Sequence, residues 1–281
     1  MTDPRPAVSG TTRLYVVLGD PVAQVRAPGL LNDLFARTAT DAVLVPVHVG
    51  PDGLDEVMRG LRRTRNLDGI LVTVPHKIDV CRYADELGPA AELAGSANAL
   101  RRTADGTWRA DNFDGAGFVH GLRGHGHDPA GERVALFGAG GAGRALAAAL
   151  LTSGADRLLL FEPDPGRRTD LLDRLAAHRP GWARAGTDGD LATAGLAVNA
   201  TPLGMRPDDP LPFDLVHLRA DCTVADIVMK PAETALLRAA ADSGRPIVPG
   251  RSMLDSQVLL YQRFFGLPGG EGHRGNGRLE R

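Results

Sequence analysis

The segment that most restricts the fold is Gly138-Ala139-Gly140-Gly141-Ala142-Gly143, set between the apolar run Val134-Ala135-Leu136-Phe137 and an alanine-rich stretch from Arg144 to Leu151. A G-x-G-x-x-G spacing means little alone; after a strand and before a helix it predicts a dinucleotide-binding unit. The first glycine permits a tight turn, the second lets a pyrophosphate approach the backbone, and the third lets the helix pack closely on the sheet. The anion then meets free N–H groups and the positive end of the helix dipole. Gly138, Ala139, Gly140, Gly141 and Ala142 are therefore candidate cofactor-binding residues.

The end of the next strand, Leu158-Leu159-Leu160-Phe161, selects the cofactor. An acidic side chain there accepts hydrogen bonds from ribose hydroxyls and repels a 2′-phosphate. Glu162 holds that position and Asp164 follows, which favours NAD, while Arg167 and Arg168 leave NADP open.

The rest of the chain alternates in the same way. Leu14–Leu18, Val43–Val47 and Ile70–Val74 read as strands. Between them Leu30, Leu31, Leu34 and Phe35, then Leu54, Val57, Met58 and Leu61, recur at helical spacing. That rhythm predicts a parallel sheet with crossover helices. Ala97–Arg102 and Thr107–Ala110 flank Ala104-Asp105-Gly106, a hairpin turn. After Gly131 come strands at 134–137, 158–161, 196–200, 224–228 and 247–248, then a helix from Met253 to Phe265. The expected architecture is α/β, with two α/β domains. A substrate-binding domain of residues 1–112 and 247–267 surrounds a Rossmann-type domain of residues 113–246, and a disordered tail covers 268–281.

With 281 residues the chain has room for two cores. No apolar run approaches the roughly 18 to 20 residues of a membrane span, and the N-terminal residues lack a signal-peptide layout. A net charge of −2 gives no electrostatic case for nucleic acid or an anionic membrane. Cys81 and Cys222 stand far apart, as in a reduced cytoplasmic protein. The expected partner is a small molecule, and the expected assembly a monomer or homodimer. His120, His125 and His127 lie in a glycine-rich connection without further ligands at metal spacing, so no metal is expected.

Only two of the 32 basic residues are lysine, Lys77 and Lys230. Arginine replaces lysine wherever a solvated charge suffices, but not where an amine must give up its proton. Lys77 follows a strand at the edge where open α/β sheets bind ligands. Asp114 lies in the connection between the two units, and a lysine beside a carboxylate is a proton-handling pair.

Several motifs in order resemble the shikimate dehydrogenase family, from about Leu14 to Gly266. They are Gly19-x-Pro21, Val72-Thr73-x-Pro75-x-Lys77, Ala97-Asn98, Asn112-x-Asp114-Gly115, the glycine turn, Asn199-Ala200-Thr201-x-x-Gly204-Met205, and Gly250-x-x-Met253-Leu254-x-x-Gln257. The resemblance implies reversible hydride transfer between a ring carbinol and the cofactor. Lys77 would be the general acid/base, paired with Asp114. Thr73, Asn98 and Gln257 would hold substrate hydroxyls, and Thr201, Ile227 and Gly250 would border the cofactor.

The departures are informative too. Family members usually grip a substrate carboxylate with two serines; the matching positions are Val25 and Ala27. Leu71 replaces an asparagine, Phe113 a threonine and Met229 a tyrosine. Losing a hydrogen bond to a charged group costs about 1.5 to 3 kcal/mol, so two such losses weaken carboxylate binding about a hundredfold or more. The substrate is therefore expected to differ from shikimate at the carboxylate. Alternatively Gln24, Arg26 or Lys230 takes over the anion, and the enzyme is a true shikimate or quinate dehydrogenase. A reading of another class is a non-catalytic NAD-binding regulator.

Overall fold

The computed structural model describes residues 8–269. Two six-stranded sheets follow one another along the chain. The first is built from β1 (Arg13–Gly19), β2 (Ala42–His48), β3 (Leu67–Val72), β4 (Glu86–Leu87), β5 (Ala99–Arg102) and β6 (Trp108–Asp111), in the order β2-β1-β3-β5-β6-β4. Helices α1 (Ala27–Arg37), α2 (Leu54–Arg63) and α3 (Pro89–Ala94) belong to this half. Crossovers through α1 and α2 make β1 parallel to β2 and β3, as the alternation predicts. The sheet is mixed, however, because the hairpin β5–β6 adds to β3 in the antiparallel sense. A tight turn joins only antiparallel strands, and Gly106 supplies it with a φ of 88°.

Helix α4 (Asp114–Gly124) leads to the second sheet, formed by β7 (Arg133–Phe137), β8 (Arg157–Phe161), β9 (Ala183–Ala185), β10 (Leu196–Asn199), β11 (Thr223–Asp226) and β12 (Ile247–Pro249). Its order is β12-β11-β10-β7-β8-β9, and every pairing is parallel. Helices α5 (Gly141–Thr152), α6 (Pro165–His178) and α7 (Ala235–Asp242) connect its strands. The strand order reverses at β7, so the glycine turn after it opens at the topological switch point, where such sheets bind ligands. The final helix α8 (Arg251–Phe264) packs against α4. The closeness of that contact shows at Gly117, where a Cβ would lie 2.7 Å from the Met253 carbonyl oxygen.

Two expectations shift. The boundary at 246/247 falls inside the second sheet, since Ile247–Pro249 is its edge strand and α8 begins only at Arg251. The expected strand through Val74 stops at Val72. Thr73 still donates its N–H to Leu18, but the Thr73 carbonyl accepts from His76 N–H at 3.0 Å and the chain turns. Of the expected tail, residues 270–281 lie outside the described part. No helix among the described residues is long and apolar enough to cross a membrane.

Candidate active site

The turn that follows β3 decides where Lys77 goes. An extended chain would send His76 and Lys77 to opposite sides; here the turn separates them instead. His76 is buried with Nε2 2.6 Å from the Val49 carbonyl oxygen, while Lys77 reaches across to α4. Its Nζ donates to Asp114 Oδ2 at 2.6 Å, and the two residues are 9% and 2% exposed. Asp114 is the first residue of α4, with its own N–H bound by Asn112 Oδ1 at 3.0 Å.

The second oxygen of Asp114 is equally committed. Oδ1 accepts from Asn98 Nδ2 at 2.8 Å and from Gln257 Nε2 at 2.9 Å. Three donors on one buried carboxylate fix its orientation, and with it the direction of the lysine amine. The structure thus brings together Lys77, Asp114, Asn98 and Gln257 from four separate segments of the chain. Thr73 opens the turn that ends at Lys77, and its hydroxyl has no partner among the described residues.

Lys77 also meets the glycine turn. A Cβ on Gly141 would stand 2.4 Å from Lys77 Cβ and 3.3 Å from its Cγ and Cδ. The stem of the lysine therefore lies directly on the start of α5, which joins the Lys77–Asp114 pair to the glycine turn by contact. A brace beside it runs from Asn112 Nδ2 to Ser96 Oγ (3.0 Å) and on from Ser96 Oγ to the Gly141 carbonyl (2.8 Å). Neither Gly141's steric role nor Ser96 was singled out in the sequence, because both depend on contacts distant along the chain.

The turn fits a dinucleotide. Gly138 has a φ of 101°, which favours glycine. Around Gly140 a Cβ would meet nothing within 4 Å, leaving room for a pyrophosphate against the backbone. The N–H groups of Gly140, Gly141 and Ala142 have no acceptor among the described residues, as expected of a helix start. Ala139 is held from both sides. Its N–H donates to Glu162 Oε2 at 2.8 Å, and its carbonyl accepts from Arg144 Nε at 3.1 Å.

Glu162 thus has a role that its position after β8 did not reveal. It is buried, and its other oxygen accepts from Asp164 N–H at 3.0 Å, so only its remaining lone pairs are free to accept a further hydrogen bond. Asp164 caps α6 by accepting from Arg167 N–H at 2.8 Å. Arg168 folds back onto the Glu162 carbonyl at 2.7 Å. Across the turn, Thr201 lies beside Gly138 and donates to Asn199 Oδ1 at 2.7 Å. Asn199 in turn donates to Asp226 Oδ1 at 3.0 Å, and burial raises the pKa of Asp226. That pair, which the sequence reading passed over, ties the ends of β10 and β11. Gly250 backs on Ile227, whose carbonyl oxygen lies 2.7 Å from where a Cβ would stand.

The positions expected to grip a carboxylate are apolar in space as well as in sequence. Val25, Ala27 and Phe113 pack against one cluster that contains Leu71, Leu31, Phe35 and Tyr261. Phe113 meets Tyr261 edge-on at 5.6 Å and Phe264 at 5.1 Å. Gln24 Nε2 donates to the Pro21 carbonyl at 2.7 Å. Arg26 is exposed at the start of α1. Lys230 is exposed on a separate cavity of roughly 480 Å³ that Met205, Arg206 and Arg238 also line. Met229 packs against the core of the second sheet, away from the Val25 cluster.

Comparison with known proteins points to one family. Residues 17–100 match the family described as the shikimate dehydrogenase substrate binding domain. A shikimate dehydrogenase (NADP(+)) of Rubrobacter xylanophilus is 38% identical over 262 residues, covering 92% of each chain. The structure of shikimate 5-dehydrogenase from Listeria monocytogenes in complex with shikimate and NAD superposes with a TM-score of 0.82 at 27% identity, over 95% of this chain and 96% of that one. Quinate dehydrogenase from Corynebacterium glutamicum in complex with NAD gives 0.81 at 27% identity, over 91% and 94%.

Proposed function

The chain belongs to the shikimate dehydrogenase family of NAD(P)-dependent oxidoreductases acting on a cyclic hydroxy compound, and we propose that its own substrate carries no carboxylate where shikimate does. One observation supports this above the others: Val25, Ala27, Leu71 and Phe113 all join a single apolar cluster. An anion placed there would lose its hydration with nothing to replace it, whereas a hydrogen or alkyl substituent would fit.

When bound, the nicotinamide supplies the acceptor for the hydride leaving the carbinol carbon. The chain supplies the rest. Lys77 Nζ takes the hydroxyl proton as the C–O bond becomes a carbonyl, and returns it in the reverse direction. Asp114 Oδ2 keeps the amine aimed while Asn98 and Gln257 hold Asp114 still. Gly140, Gly141 and Ala142 would hold the pyrophosphate, with Thr201, Ile227 and Gly250 along its course. We take NAD as the preferred dinucleotide, because Glu162 and Asp164 place negative charge where a 2′-phosphate would come; Arg168, folded onto Glu162, leaves NADP usable.

The test is dinucleotide reduction with NAD and NADP over shikimate, quinate and carboxylate-free rings such as cyclohexane-1,2-diol. The expected result is a higher kcat/KM for a carboxylate-free ring, and at least about tenfold preference for NAD. Shikimate used better than every carboxylate-free ring would sink the apolar-wall reading. Tight NAD binding with turnover of nothing would favour a regulator instead.

A further inference from the structure

Tyr261 lies one turn beyond Gln257 on α8, so the two side chains share a face. Its phenol closes a ring of hydrogen bonds that the family motifs do not contain. Asn98 Nδ2 donates to Tyr261 Oη at 3.0 Å, and Tyr261 Oη donates to Gln257 Oε1 at 3.2 Å. Both amides also donate to Asp114 Oδ1. The phenol is fixed between Phe113, edge-on at 5.6 Å, and Phe265, at 6.4 Å. Burial, helped by the Asp114 charge, raises its pKa well above the ordinary value, so it remains a neutral hydroxyl that both gives and accepts.

Counting donors shows the consequence. A primary amide has two N–H groups and one oxygen. Asn98 Oδ1 accepts from Phe113 N–H at 3.0 Å, which fixes the amide's orientation. Both N–H groups are then spent, one on Asp114 and one on Tyr261. Asn98 therefore has no N–H left for a ligand. Gln257 keeps one N–H, Lys77 keeps those not bound to Asp114, and Thr73 keeps its hydroxyl.

We infer that Tyr261 is a specificity-determining positioning residue. It consumes the Asn98 N–H, and so selects cyclic carbinols that direct no hydroxyl at Asn98, rings closer to a vicinal diol than to a contiguous triol. A third hydroxyl entering there would be buried without a donor, which costs more than its absence. The inference rests on the carbinol reading above and deepens it.

The experiment compares cyclohexane-1,2-diol with cyclohexane-1,2,3-triol, by kcat/KM with NAD and by calorimetric Kd without it. Wild-type protein and Tyr261→Phe are measured side by side, with thermal melting of both. The Phe variant keeps the ring between Phe113 and Phe265 and frees the Asn98 N–H and the Gln257 oxygen. Wild type is expected to favour the diol, and Tyr261→Phe to move the triol-to-diol ratio toward the triol by about fivefold, the worth of one hydrogen bond. An unchanged ratio, or both ligands weakened by the same factor, would overturn the role of Tyr261 and leave the carbinol reading standing. If wild type neither binds nor turns over either ring, the carboxylate-free reading of the substrate falls, and this inference with it.

Discussion

Lys77, Asn98, Asp114, Gln257 and Tyr261 form a cluster in which almost every polar atom has a partner. Phe113, next to Asp114 in sequence, and Leu71, two residues before Thr73, belong with Val25 and Ala27 to a wall that carries no polar side-chain group. The two regions meet at Phe113 and Tyr261 and respond to substitution in different ways. Hydrogen bonds are directional, so removing one partner leaves others buried and unpaired. Apolar packing is not directional and tolerates exchange at matched volume. A cleft built this way can change what it accepts while its proton chemistry stays fixed.

The largest expected effect breaks the polar side. Lys77→Ala should lower kcat/KM about 10²- to 10⁴-fold on every accepted ring, the usual worth of a positioned acid/base. Dinucleotide binding by calorimetry should survive, because Lys77 touches the glycine turn only through its stem. A loss below tenfold would mean that another group carries the proton. Next in size, Val25→Ser combined with Ala27→Ser should sharpen the contrast from the other side. If the wall faces the ring substituent, shikimate should gain about ten- to a hundredfold in kcat/KM relative to a carboxylate-free ring, the worth of one or two hydrogen bonds to a charged group. No gain would show that these residues face only the core.

The sequence told these regions apart unevenly, for physical reasons. Lys77, Asp114, Asn98 and Gln257 were readable because each sits in a short motif and the motifs follow in order. The glycine turn was readable because strand, turn and helix are contiguous. Tyr261 was not, since at helical spacing it reads as one more core residue of α8. Only the fold brings its hydroxyl to Asn98, 163 positions away. Glu162 was placed correctly after β8, yet its grip on Ala139 depends on a turn 23 residues earlier. The first sheet's parallel half followed from the βα rhythm, whereas the attachment of the β5–β6 hairpin to β3 left no periodic trace.

Gly141 makes that last point testable at intermediate size. In the sequence it is a candidate cofactor-binding glycine of the turn; in space it is also the seat of Lys77. Gly141→Ala puts a methyl group 2.4 Å from Lys77 Cβ, so the lysine stem or the turn must shift. Small displacements of a proton-transfer group are costly, and kcat should fall about tenfold with the melting temperature little changed. An unaltered kcat would mean that the contact between turn and lysine has slack.

The smallest effect asks whether the pH dependence of activity belongs to the polar cluster at all. His127 follows α4 in the connection to β7, half-buried, with Nδ1 3.0 Å from Thr223 Oγ1 and Nε2 without a partner among the described residues. Burial lowers its pKa below the usual 6.5, outweighing the opposing charges of Glu132 and Asp128. The unfolded chain therefore binds this proton more readily than the folded one. Stability is unaffected above about pH 6.5 and declines as the pH falls below it. The melting temperature of the wild type should drop between pH 7 and pH 5.5, and that of His127→Gln should drop less. The pH profile of kcat should be the same in both, since proton handling is assigned to Lys77 and not to a histidine in the connection. If His127→Gln instead removed the acid limb of the kcat profile, the limb would report loss of folded protein. The contrast between a hydrogen-bonded cluster and an apolar wall would then need a different probe.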